Sequence, residues 1–341
     1  MGYHRVHFVC NGNVYRSKLA EAYAKSYKVP GVVFSSSGLM FWEHDPRPMD
    51  YVSPWAIKIG RKDGIDKLLW GMRQKTSNAL LAKQDLIIFA NQKVYNRAKR
   101  NLKFDERKVI IWNVRDVHEW EKKLELGAIQ KRARTRRYIK MKVKELVKII
   151  AETTWVDVVD ENNKPQGYVL PPRFVKRWGL YSRGVHAFIM TADNRVVIQK
   201  RSKSILMAPG LIDITMGGHV DAGETPRNAM KREMFEEMGL KVPLKNMKFM
   251  EIYRKHAWHP KYRMRNNIFV YVYFVKLLEK DPQFVVQEHE VEWARVVSMR
   301  QAMRLINQGS IPGIGQINYP RAFYKRCLSD IKSIVKKTDV L

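Results

Sequence analysis

Apolar residues at the start of the chain occur in short runs separated by polar loops, a pattern typical of α/β proteins. Residues 5–10 (RVHFVC) form an apolar run that predicts a strand. A loop containing Gly and Asn follows, and a helix is predicted to begin near Arg16. The amphipathic segment 119–150 precedes a stretch of Asn-Asn and Lys-Pro that is typical of loops. A domain border is therefore predicted at 151–156.

The C-terminal half has its own pattern of strands and helices. Residues 185–202 indicate two strands joined by a turn at Asp193–Asn194, and residues 266–278 form a long apolar stretch rich in β-forming side chains. A helix is predicted near 319–336. Together with the helix described next, these elements predict a mixed sheet between helices. The length of 341 residues suits two domains, which we expect at 1–150 and 155–338.

The segment Gly218–Leu240 combines a glycine-containing loop with a well-marked helix. Thr225 is a suitable N-cap, Pro226 occupies the favoured first helical position, and Gly239 suits a left-handed residue that ends the helix. We therefore expect a loop, then a helix, then a sharp stop.

Three acidic residues on this helix suggest a divalent cation. Glu233, Glu236 and Glu237 are spaced i, i+3 and i+4, which places them on one helix face. Hard carboxylate oxygens suit Mg²⁺ or Mn²⁺, and such an ion could bridge to substrate phosphates. The alternative is a solvated acidic helix face, although acidic residues are scarce in this chain.

The fixed Gly, Glu and Arg positions of Gly218–Leu240 fit G-x5-E-x7-R-E-U-x-E-E-x-G-U, where U is aliphatic or Met. This segment resembles the Nudix box of hydrolases that split diphosphate bonds. The resemblance implies an α/β/α sandwich with a mixed sheet, metal ligands at the three glutamates and an ion pair between Glu224 and Arg232. It also implies that one of these glutamates, of which Glu233 is our choice, or a more remote one is the catalytic base.

Residues 158–188 further resemble the beginning of the Nudix domain in proteins related to isopentenyl diphosphate isomerase. The cysteine which that isomerase uses upstream of its box is missing from the corresponding stretch 207–220. We therefore expect this subgroup's scaffold with hydrolase chemistry. Glu288, Glu290 and Glu292 are candidates for an additional ligand or base, with exposed acids on a strand edge as the alternative.

The first loop of the chain has the composition of a phosphate-binding site. Cys10, Arg16 and Ser17 have the spacing C-x5-R-S between a strand and a helix. This arrangement places a thiol at the base of the loop, amide N–H groups pointing inward and a guanidinium over a tetrahedral anion. The helix dipole and the Ser17 hydroxyl would favour a thiolate nucleophile.

The residues Val9, Cys10, Gly12, Asn13, Arg16 and Ser17 match V-C-x-G-N-x-C-R-S-P, and the segment resembles the phosphate loop of low-molecular-weight protein tyrosine phosphatases. The resemblance covers about 3–150. It implies a three-layer α/β/α fold with a four-stranded parallel sheet, whose strands include 32–38, the start of 85–100 and 108–117.

By the same resemblance, Asn11, Gly12, Asn13 and Arg16 would bind phosphate, and Asp116 would be the general acid. Tyr15, Lys18 and Val117 depart from the family pattern, which otherwise has Cys, Pro and Pro. Two alternatives are an inert buried thiol at Cys10 and a phosphate-binding pocket without turnover.

Composition and net charge indicate the expected compartment of the protein and its binding partners. No apolar run reaches the length of about eighteen residues that a membrane span needs, and no secretory signal precedes the first strand, so we expect a soluble, cytoplasmic protein without a membrane partner. Two cysteines also suit a reducing compartment. The net charge of +30 would attract phosphorylated small molecules.

A basic run at 130–144 makes RNA an alternative partner, although such runs are more often solvated helix faces. The leading hypothesis is a bifunctional hydrolase, with a metal-dependent diphosphatase and a cysteine-dependent phosphomonoesterase. The alternatives are a Nudix hydrolase with a phosphate-sensing N-terminal domain, and an RNA 5′-end pyrophosphohydrolase. The sequence sets neither the substrates nor the oligomeric state.

Overall fold

The computed structural model describes residues 4–39, 47–116, 127–151, 154–205, 207–318 and 321–338. The chain forms two compact units, Met1–Trp155 and Val156–Leu341. Among the helices of the described ranges, none is both long enough and apolar enough to cross a membrane.

The first unit is built on a four-stranded parallel sheet, as predicted. Its strands, in the spatial order β2-β1-β3-β4, are β1 (His4–Cys10), β2 (Val32–Gly38), β3 (Leu86–Phe89) and β4 (Val109–Ile111). All four residues of β3 and the last five of β1 are buried, as expected for central parallel strands covered on both faces. The carboxyl ends of β1 and β4 therefore lie along one edge of the sheet, where the candidate phosphate loop begins.

Helices flank this sheet. They are α1 (Arg16–Ser26), α2 (Pro54–Asp63), α3 (Asn78–Ala82), α4 (Gln92–Asn101) and α5 (Gly127–Ala151). Helix α5 packs against α1. Its buried apolar residues recur at helical spacing: Ile139, Val143, Leu146, Val147 and Ile150. The basic residues of the same helix consequently lie on its other faces.

The second unit contains a nine-stranded mixed sheet. The main path is β11-β12-β7-β5-β6, with β10 beside β7 and with β8, β9 and β13 paired beyond it. The strand bounds are β5 (Val156–Val159), β6 (Pro165–Leu170), β7 (Tyr181–Met190), β8 (Val196–Arg201), β9 (Ile212–Asp213), β10 (Met216–His219), β11 (Met247–His259), β12 (Met264–Lys276) and β13 (Val291–Val297). Strands β7 and β12 are parallel, whereas the other pairs are antiparallel. A short hairpin, β14 (Ser310–Ile311) and β15 (Gly315–Gln316), stands apart from this sheet.

Two apolar clusters in the second unit involve alternate residues of the sheet. Helix α7 (Pro226–Met238) contributes Ala229, Met230, Met234 and Met238 to the cluster that holds Val185 and Ala187 of β7. The other cluster holds Phe188 and Met190 of β7 with residues of α8 (Met299–Gln308) and α9 (Arg321–Thr338). Alternation of side chains along β7 therefore separates the environment of α7 from that of α8 and α9. A further short helix is α6 (Pro172–Trp178).

Candidate functional sites

The first candidate site begins where β1 ends. The thiol of Cys10 is buried, and its Sγ lies 3.0 Å from Oγ of Ser17 in the first turn of α1. The backbone N–H of Asn13 donates to the same sulfur at 3.3 Å. Asn13 adopts a positive φ of 53°, which turns the loop inward. The sulfur is therefore held between the hydroxyl of Ser17 and the backbone of Asn13.

Neighbouring segments hold the loop from outside. The side-chain amide of Asn13 donates to Oγ of Ser17 at 3.0 Å and to Oγ of Ser36 at 2.8 Å. Arg73 Nε donates to the carbonyl of Gly12 at 3.0 Å. A Cβ on Gly38 would lie 2.6 Å from the backbone nitrogen of Asn13, so the loop packs directly on this glycine. The loop shape is therefore set by residues far away in the sequence.

A partly buried ion pair joins the first residue of α1 to the segment after β4. The Nη2 atom of Arg16 is 2.6 Å from Oδ2 of Asp116, and the side-chain amide of Asn11 donates to the same oxygen at 3.3 Å. The other terminal nitrogen of Arg16, Nη1, is buried and has no hydrogen-bond partner among the residues that the structure describes. A phosphoryl oxygen in the loop would satisfy this donor. The structure thus brings Cys10, Arg16 and Asp116 into one small region.

The structure shows the surroundings of Tyr15 and Lys18, two residues that differ from the phosphatase pattern. The Tyr15 hydroxyl is buried without a hydrogen-bond partner in the described ranges, and burial raises the pKa of Tyr15 to about 12. Lys18 donates from Nζ to the carbonyls of Gly71 at 3.0 Å and Met72 at 3.2 Å, and burial lowers its pKa. Lys18 therefore anchors a distant segment to the phosphate loop. The third departure, Val117, lies outside the described residues.

The basic run at 130–144 is used inside the first unit. Arg136 forms an ion pair with Asp63, and Lys140 reaches the same carboxylate at 3.8 Å. The guanidinium of Arg132 stacks on Trp55 with 4.0 Å between Cζ and the ring centroid. These contacts support the interpretation of the run as part of a packed helix and give no support to RNA binding.

The second candidate site lies at α7 and the loop before it. The Oγ1 atom of Thr225 accepts from the backbone N–H of Asn228 at 3.3 Å, Pro226 is the first helical residue and Gly239 ends the helix with φ of 71°. All three local expectations are confirmed. On the neighbouring strand β10, the missing side chain of Gly218 leaves room for the carboxylate of Glu233. Any Cβ at position 218 would collide with that group.

Arg232 organises the acidic residues of this site. Its Nη2 atom is 3.0 Å from Oε2 of Glu224 and donates to the carbonyl of His219 at 3.0 Å. Its Nη1 atom is 3.0 Å from oxygens of both Glu233 and Glu236. The structure therefore contains the ion pair between Glu224 and Arg232, and the same arginine also ties the loop to two glutamates of the helix.

The three glutamates of α7 differ in environment. Glu233 and Glu237 are buried, whereas Glu236 is half exposed and turned toward Arg232. Burial raises the pKa of Glu233 to about 7 and that of Glu237 well above its usual range. The charge of Glu290 raises the pKa of both, and Gln199 donates to Glu237 at 3.3 Å. The site thus gathers acidic groups whose ionisation is unfavourable without a cation.

The oxygen donors of this site suit a divalent cation. In the described part of the chain, no three or more His, Cys, Asp or Glu side chains are already grouped so that they could hold an ion. The oxygen donors Glu233, Glu237 and Glu290 nevertheless match the chemistry that Mg²⁺ and Mn²⁺ prefer, and a cation would offset their mutual repulsion. Rotation of Glu236 away from Arg232 would add a further ligand.

The three glutamates at positions 288, 290 and 292 have different surroundings. Glu290 lies close enough to influence Glu233 and Glu237. Glu292 pairs with Lys200 at 2.7 Å, and Glu288 is exposed. Glu290 is therefore the member of this group that belongs to the site.

The sequence did not predict the role of Arg73 in the first site, because this role depends on a contact between two loops.

Two family models match the chain. Residues 5–152 match the model of the low molecular weight phosphotyrosine protein phosphatases, and residues 180–313 match the model of the NUDIX domain. The subgroup related to isopentenyl diphosphate isomerase, in contrast, is not distinguished by these matches.

Similar curated proteins match the second unit. Nudix hydrolase 3 of Arabidopsis thaliana is 28% identical over 155 residues, which are 45% of this chain and 20% of that protein. An uncharacterised Nudix hydrolase of Nostoc sp. is 29% identical over 128 residues, 36% of this chain and 69% of that protein. The chain thus spans a fifth of the Arabidopsis relative.

Two solved structures are each similar to about half of the chain. A protein of Deinococcus radiodurans, DR0079, is 21% identical with a TM-score of 0.39, covering 51% of this chain and 98% of its own. Vibrio vulnificus Wzb, solved with benzylphosphonate, is 15% identical with a TM-score of 0.36, covering 43% of this chain and 99% of its own.

Proposed function

Because the chain joins a low-molecular-weight phosphotyrosine phosphatase domain to a Nudix domain in a two-domain hydrolase, we propose that it carries two separate activities. The first is cysteine-dependent hydrolysis of a phosphomonoester, and the second is metal-dependent cleavage of a diphosphate bond in a nucleoside-diphosphate-type or related substrate. The cytoplasm is the proposed location, since a reducing compartment keeps a nucleophilic thiol available.

The proposed phosphatase reaction uses the geometry around Cys10. The thiolate attacks phosphorus, while Arg16 and the loop amides of residues 11–17 bind the non-bridging oxygens. Asp116 then protonates the leaving oxygen. Water finally attacks the phosphocysteine and releases phosphate, which restores the thiolate. Contacts at Cys10 Sγ from Ser17 and Asn13 support this assignment.

In the proposed diphosphatase reaction, Glu233, Glu236 and Glu237 would hold Mg²⁺ or Mn²⁺, and Glu290 would be an additional ligand. When bound, the metal would neutralise the diphosphate and lower the pKa of an attacking water. Glu233 is the proposed base, because its carboxylate is buried against Gly218 where the loop meets the helix. Arg232 keeps the loop and the helix together through Glu224.

The observation that supports the diphosphatase most directly is the close approach of buried Glu233 and Glu237. The charge of Glu233 raises the pKa of Glu237, and Arg232 forms an ion pair with Glu233. A divalent cation supplies the missing positive charge. Isothermal titration calorimetry with Mn²⁺ should therefore show binding to the wild-type protein and at least a tenfold weaker binding to Glu237→Gln.

Two substitutions test the assignment of activities to domains. Cys10→Ser should abolish hydrolysis of para-nitrophenyl phosphate in EDTA and leave Mg²⁺-dependent diphosphate hydrolysis unchanged. Glu236→Gln should have the opposite effect. If either variant lost both activities while remaining folded, two independent sites would be excluded.

A second function for the N-terminal domain is favoured by one observation. Asp116 lies 2.6 Å from Arg16, so its carboxylate is engaged by the arginine that binds phosphate and is not directed at a leaving oxygen. The domain would then bind phosphate and regulate the Nudix domain without turnover. Wild-type protein that binds inorganic phosphate but shows no phosphatase activity above that of Cys10→Ser would favour this alternative.

A further inference from the structure

Helices α1 and α2 of the first unit lie side by side and run in the same direction. Where they begin, the backbone N–H of Ser53 donates to the carbonyl of Val14 at 3.0 Å. Toward their other ends, the hydroxyl of Tyr23 in α1 donates to Asp63, the last residue of α2. Helix α5 packs on α1 and brings basic residues to both ends of this helix pair. The two ends can therefore be compared with each other.

At the carboxyl ends of α1 and α2, a tyrosine and two cations share one carboxylate. Asp63 accepts from the hydroxyl of Tyr23 and from Nε of Arg136 in α5, the latter at 2.8 Å. The Nζ atom of Lys140, one turn further along α5, lies 3.8 Å from the same carboxylate and 5.7 Å from the ring centroid of Tyr23. The tyrosine hydroxyl and the guanidinium thus have a common acidic acceptor.

The amino ends of the same helices bring together another tyrosine and another arginine. Tyr15 is the N-cap residue of α1, and Trp55 lies in the first turn of α2. Arg132 of α5 stacks on Trp55 with 4.0 Å between Cζ and the ring centroid. The backbone bond between Ser53 and Val14 ties the first turn of α2 to the residue before Tyr15. Tyr15 and Arg132 therefore both lie where α2 begins, beside the phosphate loop.

Both polar groups at the amino ends are buried donors. Tyr15 is 5% exposed, and neither its hydroxyl nor Nε of Arg132 has a hydrogen-bond partner within the described residues. Burial raises the pKa of Tyr15 to about 12, while the charges of Arg132 and Arg136 act in the opposite direction. The hydroxyl consequently keeps its proton at neutral pH. An oxyanion would accept from both donors, as Asp63 accepts from its tyrosine and arginine at the carboxyl ends.

We propose that Tyr15 and Arg132 form a second anion site beside the phosphate loop, which binds a carboxylate of the phosphatase ligand. The inference rests on the proposed phosphatase function and specifies its substrate class, namely phosphomonoesters that also carry a carboxylate. Tyr15 directly precedes Arg16, whose Nη1 atom is the buried donor available to a phosphoryl oxygen. One molecule can therefore occupy both places, because neighbouring Cα atoms are about 3.8 Å apart. Since the phosphatase pattern has cysteine where this chain has Tyr15, the second site is a feature of this chain.

Benzylphosphonates that differ in one side group test the site without turnover. The ligands carry a carboxymethyl group or its neutral amide at the ortho, meta or para position of the ring. For at least one position, we expect wild-type protein to bind the acid at least tenfold more tightly than the amide in isothermal titration calorimetry. Arg132→Met should remove this preference, because the carboxylate loses its cation. Arg134→Met, which removes an exposed arginine from the same helix, should retain it.

A second variant removes only the other donor. Tyr15→Phe should lower the preference for the acid about fivefold, as expected for the loss of one hydrogen bond. A preference below tenfold at every ring position of the wild-type ligands would overturn the site. So would an unchanged preference in folded Arg132→Met or Tyr15→Phe protein, with folding checked by circular dichroism. Loss of the preference in Arg134→Met would also overturn it, because the preference would then reflect the general positive charge of the chain.

Hydrolysis of para-nitrophenyl phosphate tests the proposed function separately. If turnover depended on Cys10 while the acid and the amide bound equally well, the proposed function would stand and the second site would fail. If the wild type showed the preference without turnover, the second site would stand in a domain that only binds its ligand.

Discussion

Arg16 and Asp116, 100 positions apart in the chain, meet at 2.6 Å over the phosphate loop of the first unit. The strand β1 leads to the loop that contains Arg16, and β4 leads to Asp116, so the parallel sheet delivers both residues to the same edge. The contact gives Arg16 a carboxylate neighbour, and in the proposed reaction this carboxylate leaves Arg16 and protonates the leaving oxygen.

Replacement of Asp116 by Asn should separate its catalytic role from its ion pair. If Asp116 protonates the leaving group, kcat for phenyl phosphate should fall about a hundredfold or more, and kcat for para-nitrophenyl phosphate should fall much less. The reason is that nitrophenolate leaves without a proton. KM should decrease in both cases, because Arg16 loses its competing carboxylate. Steady-state kinetics across a series of aryl phosphates measures these effects.

Asp85→Asn serves as the matched control for this experiment. Asp85 accepts a hydrogen bond from the backbone of Arg5 at the opposite end of the sheet, so its loss should not alter the leaving-group dependence. An Asp116→Asn variant with equal losses for all leaving groups would contradict the role of general acid.

Gly38→Ala should displace the phosphate loop. The added Cβ would lie 2.6 Å from the nitrogen of Asn13 and 2.7 Å from the carbonyl carbon of Gly12, and backbone atoms cannot yield as flexible side chains do. We expect at least a tenfold loss of phosphomonoesterase activity and of inorganic phosphate binding, with the diphosphatase unaffected. A fully active, folded Gly38→Ala protein would show that the loop tolerates rearrangement.

Gly218→Ala is the reciprocal change in the second unit. Its Cβ would overlap the carboxylate of Glu233, which must then rotate away from Arg232 and from the proposed metal position. Mn²⁺ affinity and diphosphate hydrolysis should both fall at least tenfold, while phosphomonoesterase activity remains. Calorimetry and an assay of released phosphate would check the two effects. Unchanged Mn²⁺ affinity would mean that Glu233 is not a ligand.

Local features of the Nudix helix could be predicted from the sequence because their causes are local. Thr225, Pro226 and Gly239 set the start and end of α7 through backbone contacts within a few residues. The parallel order of the first sheet, by contrast, was expected from family resemblance. The pattern of apolar residues alone predicts where strands occur along the chain. It does not predict which strands are neighbours in the sheet.

Contacts between distant segments could not be predicted in this way. Arg73 supports Gly12 across 61 positions, and Glu290 approaches Glu237 from another part of the sheet. From the sequence, RNA was an alternative partner for the basic residues of α5. In the structure, Arg136 forms an ion pair with Asp63. Whether a charge is available depends on its tertiary neighbours, which composition and spacing do not reveal.

His7 should make the first unit sensitive to acid. Its ring nitrogens lie 2.7 Å from the hydroxyls of Ser35 and Ser37, and burial lowers its pKa from 6.5 to about 4. Between about pH 4 and 6.5 the unfolded chain binds a proton at this residue that the folded chain does not. The free energy of unfolding therefore rises with pH in this window. The contribution is complete above about pH 6.5 and lost as the pH falls to about 4, a change of roughly 3 kcal/mol.

Urea unfolding of the wild type and His7→Gln at several pH values measures this contribution. The variant should be less stable at pH 7.5, and its stability should fall less steeply between pH 6.5 and 4.5. Subtracting the two curves cancels the similar contribution of His186, whose pKa burial also lowers to about 4. NMR titration of the His7 imidazole provides an independent check, because a folded-state pKa near 6.5 would show that the ring is not held neutral by the fold.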